Sequence, residues 1–349
     1  MDKKRIVALG EIMLRLTPPD YTTISEARNF VANYGGGEAN VLASLSHFGH
    51  KTEFLTKLPE NHLGDSALGH LQGHGVDVSH VVRGSSNIGM YFVETGFGGR
   101  PSKVIYNRKH SAITRIEKEE IDYDEVFSNA KWFHLSGITL ALGDKVREVV
   151  FACLEACKKY GVVVSFDFNY RSKLWTLEEA RPYFKKVIPY VDVLFANYFD
   201  IHEILELELD EDISDNLLKK VAISRKLIAS TNIKYVFGKD RIVYSATDNS
   251  LSSYCVCKDG QLKSNNAIRF SIYDRIGSGD AFAAGVIHGL LKNFEEPEYA
   301  LNFGLAASIL KHTLYGDVLT LSVEEVEEFI RTKTGRMAIV NMRWTTSAA

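Results

Sequence analysis

The feature that most constrains this chain is a repeated alternation of short apolar strand patterns with amphipathic helical patterns. It starts with the strand pattern RIVALGE at 5–11 and the helical pattern GGEANVLASLSHFG at 36–49, which ends on a glycine. Further strands are predicted at 52–58, 131–136, 162–168 and 191–196, and further helices at 63–75, 143–160, 176–188 and 198–205. This order predicts an α/β fold, a mostly parallel central sheet with helices on both faces, whose ligands bind beyond the carboxyl ends of the strands.

Two extended segments, 12–34 and 88–107, interrupt the alternation. In the second, GMYFVE and SKVIYN flank the turn TGFGGRP, which is a hairpin signal. A small β lid of this kind could close a ligand site and exclude water, although a sheet-edge hairpin without a role in catalysis fits the pattern equally well. Because the sequence shows no internal repeat or long linker, residues 1–349 are predicted to form a single domain that carries the lid.

Charge and hydropathy exclude several classes of protein. The net charge of −3 provides no general basic field, so nucleic acid is not an expected partner. No run reaches the roughly 18 apolar residues that a membrane-spanning helix needs. The start, MDKKRIVALGEIMLRL, lacks the apolar stretch and cleavage site of a signal peptide. A soluble cytoplasmic protein is therefore expected.

The cysteines form two close pairs, Cys153/Cys157 and Cys255/Cys257. Neither pair has the CxxC spacing that is typical of zinc sites. Reduced structural thiols are the favoured interpretation, and no direct metal site is predicted from side chains alone.

The strongest chemical signal is the segment DRIGSGD at 274–280, which enters the helical pattern AFAAGVIHGLL. Free N–H groups at a helix start, with the helix dipole behind them, predict an anion hole formed by Gly277, Ser278 and Gly279. Asp280 is a favourable helix-start residue in any protein. Beside a bound phosphate, however, a carboxylate would repel it unless the carboxylate accepts a proton from an attacking hydroxyl, as phosphoryl transfer requires. We therefore expect Asp280 to be the catalytic base.

This segment resembles the DTxGAGD signature of the ribokinase-like (PfkB) family of carbohydrate kinases. The segment GGGEAN at 35–40 resembles the family's sugar-site turn, and the strand–helix pattern matches the family over roughly 5–330. The resemblance implies a ribokinase-like fold, ATP as phosphoryl donor with Mg²⁺ bound to it, and a homo-oligomer, a dimer, that forms through the β lid.

The chain departs from the family pattern at two places near the predicted nucleotide site. Arg275 stands where the family commonly has threonine, and Asn197-Tyr198-Phe199-Asp200 stands for the family's N-x-x-E near the phosphates and magnesium. By the resemblance, Asn197 and Asp200 are linked to the nucleotide and Mg²⁺, with aspartate one methylene shorter than glutamate. Gly238, the only glycine of its strand region, is assigned to the nucleotide on the same basis.

Four segments resemble 2-keto-3-deoxygluconate kinases in particular: GMY at 89–91, YNRK at 106–109, LSGI at 135–138 and DFNYR at 167–171. By that similarity the sugar-acid site is lined by Gly36, Tyr91, Tyr106, Arg108, Ile138 and Arg171, with Asp317 as a further substrate-side residue. A guanidinium can hold a carboxylate with two charge-assisted hydrogen bonds, whereas a neutral sugar would leave these arginines unpaired. Arg15 stands about where fructokinase- and ribokinase-like members place an aspartate for sugar hydroxyls, which also argues against a neutral sugar.

The predicted function is therefore the ATP-dependent phosphorylation of 2-keto-3-deoxygluconate to its 6-phosphate. A fructokinase or another PfkB sugar kinase is the alternative enzyme, and a non-catalytic sugar-sensing relative is the alternative from another class. Surface ion pairing is the alternative role for Arg108 and Arg171. A dinucleotide-dependent oxidoreductase is excluded because no GxGxxG follows the first strand.

Overall fold

The computed structural model of the chain describes residues 4–85, 87–210, 213–332 and 339–342. The strands in these ranges are β1 (Arg5–Leu9), β2 (Met13–Thr17), β3 (Val31–Gly35), β4 (Lys51–Leu55), β5 (Lys57–Leu58), β6 (Val76–Asp77), β7 (Val82–Arg83), β8 (Met90–Glu94), β9 (Lys103–Asn107), β10 (Ala130–Ser136), β11 (Val163–Asp167), β12 (Val193–Phe195), β13 (Tyr235–Val243), β14 (Asp248–Cys257), β15 (Leu262–Asn265), β16 (Ile268–Ser271) and β17 (Ile339–Met342). The α-helices are α1 (Gly37–His47), α2 (His62–Gly73), α3 (Tyr123–Phe127), α4 (Gly137–Leu140), α5 (Asp144–Tyr160), α6 (Leu177–Val187), α7 (Asn216–Ala229), α8 (Ser278–Lys292), α9 (Pro297–Lys311) and α10 (Val323–Thr332).

The central sheet has the strand order β17-β15-β14-β13-β12-β11-β10-β1-β4-β6, and β16 also pairs with β14. Every neighbouring pair from β6 to β13 is parallel. Beyond β13 the pairs are antiparallel. The predicted α/β fold with a mostly parallel sheet is therefore confirmed. The antiparallel extension that begins with the β13–β14 hairpin is a feature that the alternating pattern did not predict.

Helices cover both faces of this sheet, as predicted. Because strand side chains alternate between faces, Ile6 and Ala8 of β1 pack in one core and Val7 and Leu9 in the other. The first core also contains buried residues of α1, α8 and α9, and the second contains buried residues of α5, α6 and α7. Burial of apolar surface on both faces holds the carboxyl ends of the parallel strands at one edge.

The two predicted insertions form a separate four-stranded sheet in the order β3-β2-β8-β9, here called the lid. Strands β8 and β9 form the predicted hairpin, with Met90 opposite Asn107 and Glu94 opposite Lys103. The parallel pairing of β2 with β8 joins the first insertion to the second. One lid is therefore built from segments that are far apart in the sequence.

No helix in the ranges described above combines the length and the apolar character that crossing a membrane requires. Among the same residues, no three histidine, cysteine, aspartate or glutamate side chains meet in a group that could hold a metal ion.

All four cysteines are buried as free thiols, and the sulfur atoms of Cys255 and Cys257 lie 3.9 Å apart. Their burial without a disulfide agrees with a structural role for these thiols.

Candidate active site

A cleft of about 470 Å³ lies between the lid and the carboxyl ends of β1, β10, β11, β12 and β13. All the site residues predicted from the sequence line this cleft: Gly36, Tyr91, Tyr106, Arg108, Ile138, Arg171, Asn197, Asp200, Gly238, Gly277, Ser278, Gly279, Asp280 and Asp317. We call the turn at 277–280 the helix end of the cleft. The lid end consists of Glu11, Tyr91, Tyr106 and Arg108.

The helix end depends on a backbone conformation that only glycine adopts readily. Gly277 has φ of 79° and precedes the first residue of α8. A Cβ at Gly277 would also clash with the carbonyl oxygen of Asp317. At Gly279 the nearest atom to a Cβ position is Lys239 Nζ, at 3.9 Å, so the backbone there is open to the cleft. The first N–H groups of α8 have no intrahelical acceptors, which suits the turn to an anion.

Asp280 occupies the first turn of α8, where Asn40 Nδ2 donates a 2.7 Å hydrogen bond to its Oδ2. Burial, together with the negative charges of Asp167, Asp317 and Glu38, raises the pKa of Asp280 to about 7, against an ordinary value of 3.8. A carboxylate with that pKa can accept a proton near neutral pH and release it again.

Asn197 and Asp200 hold each other in place at the end of β12. The Asn197 N–H donates to Asp200 Oδ2 at 2.9 Å, and the Asp200 N–H donates to Asn197 Oδ1 at 3.1 Å. Asp200 begins a short π-helical turn, Asp200–Ile204, in place of the predicted helix at 198–205. Burial raises the pKa of Asp200 to about 7 and that of Asp167 to about 6, so both carboxyls retain protons more readily than in water.

The lid end contains an ion pair that the sequence interpretation did not foresee. Arg108 Nη2 is paired with Glu11 Oε2, and both side chains are almost fully buried. The other carboxylate oxygen of Glu11 is buried and has no hydrogen-bond partner among the described residues. The guanidinium carbon of Arg108 lies 5.8 Å from the centroid of the Tyr106 ring, and this ring stacks on that of Tyr91 with 5.9 Å between their centroids. The argument that a neutral sugar would leave Arg108 unpaired is therefore wrong, because Glu11 already balances its charge.

Arg15 does not face the cleft. Its side chain is fully buried, with Nη1 2.6 Å from Asp317 Oδ1 and Nη2 2.7 Å from Asp274 Oδ2. Tyr91 donates a further hydrogen bond to Asp317. Arg15 therefore joins lid strand β2 to two other segments of the chain. One contains Asp274, just before the helix end, and the other contains Asp317, which follows α9. The interpretation of Arg15 as a substitute for a sugar-binding aspartate is wrong for this reason.

Two predicted glycines line the cleft for reasons of close packing. A Cβ at Gly36 would clash with the carbonyl oxygen of Glu11, and a Cβ at Gly238 would clash with the ring of Tyr254.

The predicted residue Arg171 is exposed in the cleft and has no carboxylate within 4 Å among the described residues. Its guanidinium therefore remains available to an anionic ligand.

Five charged residues of the cleft were not predicted as site residues: Glu11, Glu38, Asp167, Lys239 and Arg275. Glu38 Oε1 accepts hydrogen bonds from the Ser136 N–H, from Ser136 Oγ and from Thr139 Oγ1. Asp167 and Lys239 lie on β11 and β13, and Glu11 closely follows β1. For Glu11 and Asp167 the available signal was a charged residue at or just after the carboxyl end of a buried strand, because such positions lie at the ligand edge of the sheet.

Residues 3–322 match the family model described as pfkB family carbohydrate kinase. The chain belongs to the PfkB family of carbohydrate kinases. The match covers the lid strands, both motifs and the complete parallel part of the sheet. The family identification made from the sequence is thereby confirmed.

Individual relatives agree with this identification over nearly their whole length. The crystal structure of the 2-dehydro-3-deoxygluconokinase of Thermotoga maritima matches this PfkB kinase with a TM-score of 0.89 and a sequence identity of 41%. The match covers 94% of this chain and 99% of that chain. The 2-dehydro-3-deoxygalactonokinase of Haloferax volcanii is 32% identical, covering 93% of this chain and 96% of its own length. A 5-dehydro-2-deoxygluconokinase of Clostridium perfringens is 28% identical, with coverage of 95% and 94%. The ribokinase-like fold is confirmed by these matches.

Proposed function

We propose that this PfkB kinase transfers the terminal phosphoryl group of ATP to a 2-keto-3-deoxy sugar acid, and that 2-keto-3-deoxygluconate is its substrate. The observation that carries the proposal is the position of Asp280 at the open N-terminus of α8, in one cleft with Arg108 and Arg171. The relatives support the substrate class, since each of the three is named for a deoxy-keto sugar acid. The use of ATP leads us to propose a cytoplasmic location.

In the proposed reaction Asp280 takes the proton of the sugar-acid 6-hydroxyl. The hydroxyl oxygen forms a bond to the terminal phosphorus as the bond from that phosphorus to the oxygen of the leaving ADP breaks. The N–H groups of Gly277, Ser278 and Gly279 face the negative charge of the phosphoryl oxygens. Asn40 orients the Asp280 carboxylate through its 2.7 Å hydrogen bond. The residues of the helix end therefore supply a base and an anion site within one turn of helix.

Magnesium fits this cleft as an ion held mainly by nucleotide phosphates and water, because the carboxylate of Asp200 lines the cleft beside Asn197. Bound in that way, Mg²⁺ would balance the charge of the phosphates. Asp200 is the residue we assign to its water shell, on the basis of its place in the cleft beside Asn197. The variant Asp200→Ala should raise the Mg²⁺ concentration needed for half-maximal rate. An unchanged Mg²⁺ titration would remove Asp200 from this role.

The carboxylate of the sugar acid is assigned to Arg171 and Arg108. Arg171 has no competing carboxylate within 4 Å in the described part of the chain, and a free guanidinium matches a carboxylate in two charge-assisted hydrogen bonds. Tyr91 and Tyr106 would enclose the carbon chain between the lid and the sheet. Gly36 and Ile138 complete the wall on the sheet side of the cleft.

A neutral ketohexose is the second candidate substrate, favoured by the Glu11–Arg108 ion pair. With Arg108 neutralised, the lid end presents less positive charge than the sequence suggested. The deciding experiment is an ATP-to-ADP assay with a panel of deoxy-keto sugar acids, gluconate, fructose and ribose. A preference for 2-keto-3-deoxygluconate or its C4 epimer is expected. A preference for fructose would support the second candidate, and no turnover with any compound would support a non-catalytic relative.

We further propose that two copies of the chain associate through their lids. The outer strands β3 and β9 carry exposed apolar side chains, among them Val31 and Ile105. Strand edges of this kind pair readily with another strand, and a two-fold dimer would cover both copies at once. Light scattering at micromolar concentration should give a dimer, and Ile105→Glu should shift it toward the monomer. A wild-type monomer would contradict the proposal.

A further inference from the structure

Lys239 extends into the cleft at its helix end. It directly follows Gly238 in β13, and its Nζ lies 4.7 Å from the centroid of the Phe282 ring on α8. The same Nζ lies 3.9 Å from the position that a Cβ on Gly279 would occupy. The ammonium is therefore next to the first turn of α8, where the open backbone N–H groups form the anion site.

The ammonium of Lys239 has no oxygen partner among the described residues. Its position contrasts with the buried lysines of the same chain. Lys57 is paired with Glu120, Lys220 is paired with Asp240, and Lys311 donates to the carbonyl oxygen of Leu314 at 3.1 Å. Lys239 is half-buried. In the described part of the chain no carboxylate oxygen lies within 4 Å of its Nζ, and no other acceptor lies within hydrogen-bond distance of it. A cation that is partly removed from water without a partner fits a site whose anion arrives with the ligand.

The charge around Lys239 explains why a phosphate site here needs a cation. Asp167, Asp200 and Asp280 all line the cleft and would repel a polyphosphate. The fields of Asp167 and Asp280 favour the charged ammonium, while burial, the larger effect, and the nearby Arg241 disfavour it and lower its pKa to about 8. The side chain therefore still carries its charge at neutral pH.

We propose that Lys239 binds the terminal phosphates of the nucleotide and holds the phosphoryl group against the first turn of α8 during its transfer. This inference rests on the proposed function, which supplies the nucleotide. Lys239 would balance the charge that the carboxylates leave uncompensated, and the N–H groups of Gly277–Gly279 would fix the direction of approach. Arg275, at the position where the family commonly has threonine, lies at the exposed rim of the same cleft and is not assigned this contact.

The test compares nucleotides that carry one, two or three phosphates on the same adenosine. Calorimetric titration of the whole chain with AMP, ADP and the non-hydrolysable analogue β,γ-imido-ATP, each with Mg²⁺, is done on wild type, Lys239→Met and Lys239→Arg. Methionine keeps the contact with the Phe282 ring and removes the charge. Lys234→Met is the matched control, because Lys234 directly precedes β13 and its Nζ lies 4.8 Å from the ring of Phe294. Thermal unfolding verifies that each variant is folded.

For Lys239→Met we expect the analogue to bind about ten- to a hundredfold more weakly and AMP to bind as it does to wild type. Lys239→Arg should recover part of the loss, and Lys234→Met should show none. Equal losses for AMP and the analogue, or no loss for either, would overturn the assignment of Lys239. A wild type that binds the analogue through Lys239 but phosphorylates no sugar acid would contradict the proposed function and leave this inference standing. A wild type that binds no nucleotide would contradict both.

Discussion

The helix end of the cleft is built from one continuous segment, whereas the lid end is built from residues that lie far apart in the chain. At the helix end Gly277, Ser278, Gly279 and Asp280 are consecutive, and their geometry follows from a glycine turn that enters a helix. At the lid end Glu11 and Arg108 are separated by 97 positions. The comparison indicates that the backbone geometry of the helix end is encoded locally, whereas the ion pair of the lid end is assembled only in the folded chain.

The largest effect should come from Asp280 at the helix end. The variant Asp280→Asn has nearly the same shape and keeps a partner for Asn40, so folding and nucleotide binding should survive. Loss of the base should lower kcat by about 10²–10⁴-fold. Steady-state kinetics with 2-keto-3-deoxygluconate measure the loss. If kcat stays near the wild-type value, Asp280 is only a helix-start residue, and the helix end has no base.

Removal of Arg15, which connects the two ends, should lower stability rather than turnover alone. In Arg15→Met the buried carboxylates of Asp274 and Asp317 lose their ion-pair partner, which should cost about 3–5 kcal/mol in the free energy of unfolding. Denaturant unfolding at pH 8 measures the change. Arg269→Met is the control, because the Arg269–Asp248 pair is solvent-exposed and its loss should be hard to detect. Equal behaviour of the two variants would contradict the structural role of Arg15.

The pH dependence of turnover should reflect the helix end. Since the pKa of Asp280 is raised to about 7 from an ordinary 3.8, the unprotonated base is lost as the pH falls through about 7. The value of kcat/KM should therefore decrease about tenfold for each further pH unit on the acid side. Rates in buffers from pH 5 to 8 provide the measurement. A profile that stays flat down to pH 5 would show that the group in use has an ordinary carboxyl pKa.

The smallest effect should come from the lid end, and it should depend on the substrate. In Arg108→Ala the Glu11 carboxylate loses its partner beside the substrate, so kcat/KM for the sugar acid should fall about ten- to a hundredfold. Any activity with fructose should fall less, or rise. Arg171→Lys, which keeps the charge without the planar fork, should also reduce activity with the acid. Equal losses for acid and neutral sugars would mean that these arginines maintain structure instead of selecting the substrate.

Much of the fold could be predicted because its signals are local. The alternation of strand and helix patterns follows from side-chain periodicity, and the hairpin of β8 and β9 follows from a turn between two strand patterns. The antiparallel hairpin of β13 and β14 was missed. Its strands carry no separate pattern that distinguishes antiparallel from parallel pairing, and the pairing depends on how the chain turns after β13.

The residues that line the cleft could be predicted to a large extent because the family motifs are short and continuous, but the partners of these residues could not. Arg15 and Asp317 are separated by 302 positions, and nothing near Arg15 in the sequence shows that two carboxylates surround it. Lys239 stands next to a glycine that was predicted, yet its proximity to α8 depends on the position of that helix beside β13.

The sequence by itself determined the α/β architecture, the family and the glycine turn with Asp280, because periodicity, helix-start chemistry and positive φ act over a few neighbouring residues. Only the tertiary structure decided which charges face the cleft and which are neutralised. It pairs Arg108 with Glu11, buries Arg15 and leaves Arg171 and Lys239 without carboxylate partners within 4 Å in the described part of the chain. The physical reason is that the free energy of a charged side chain depends on burial and on partners within a few ångströms, and these are set by packing between distant segments.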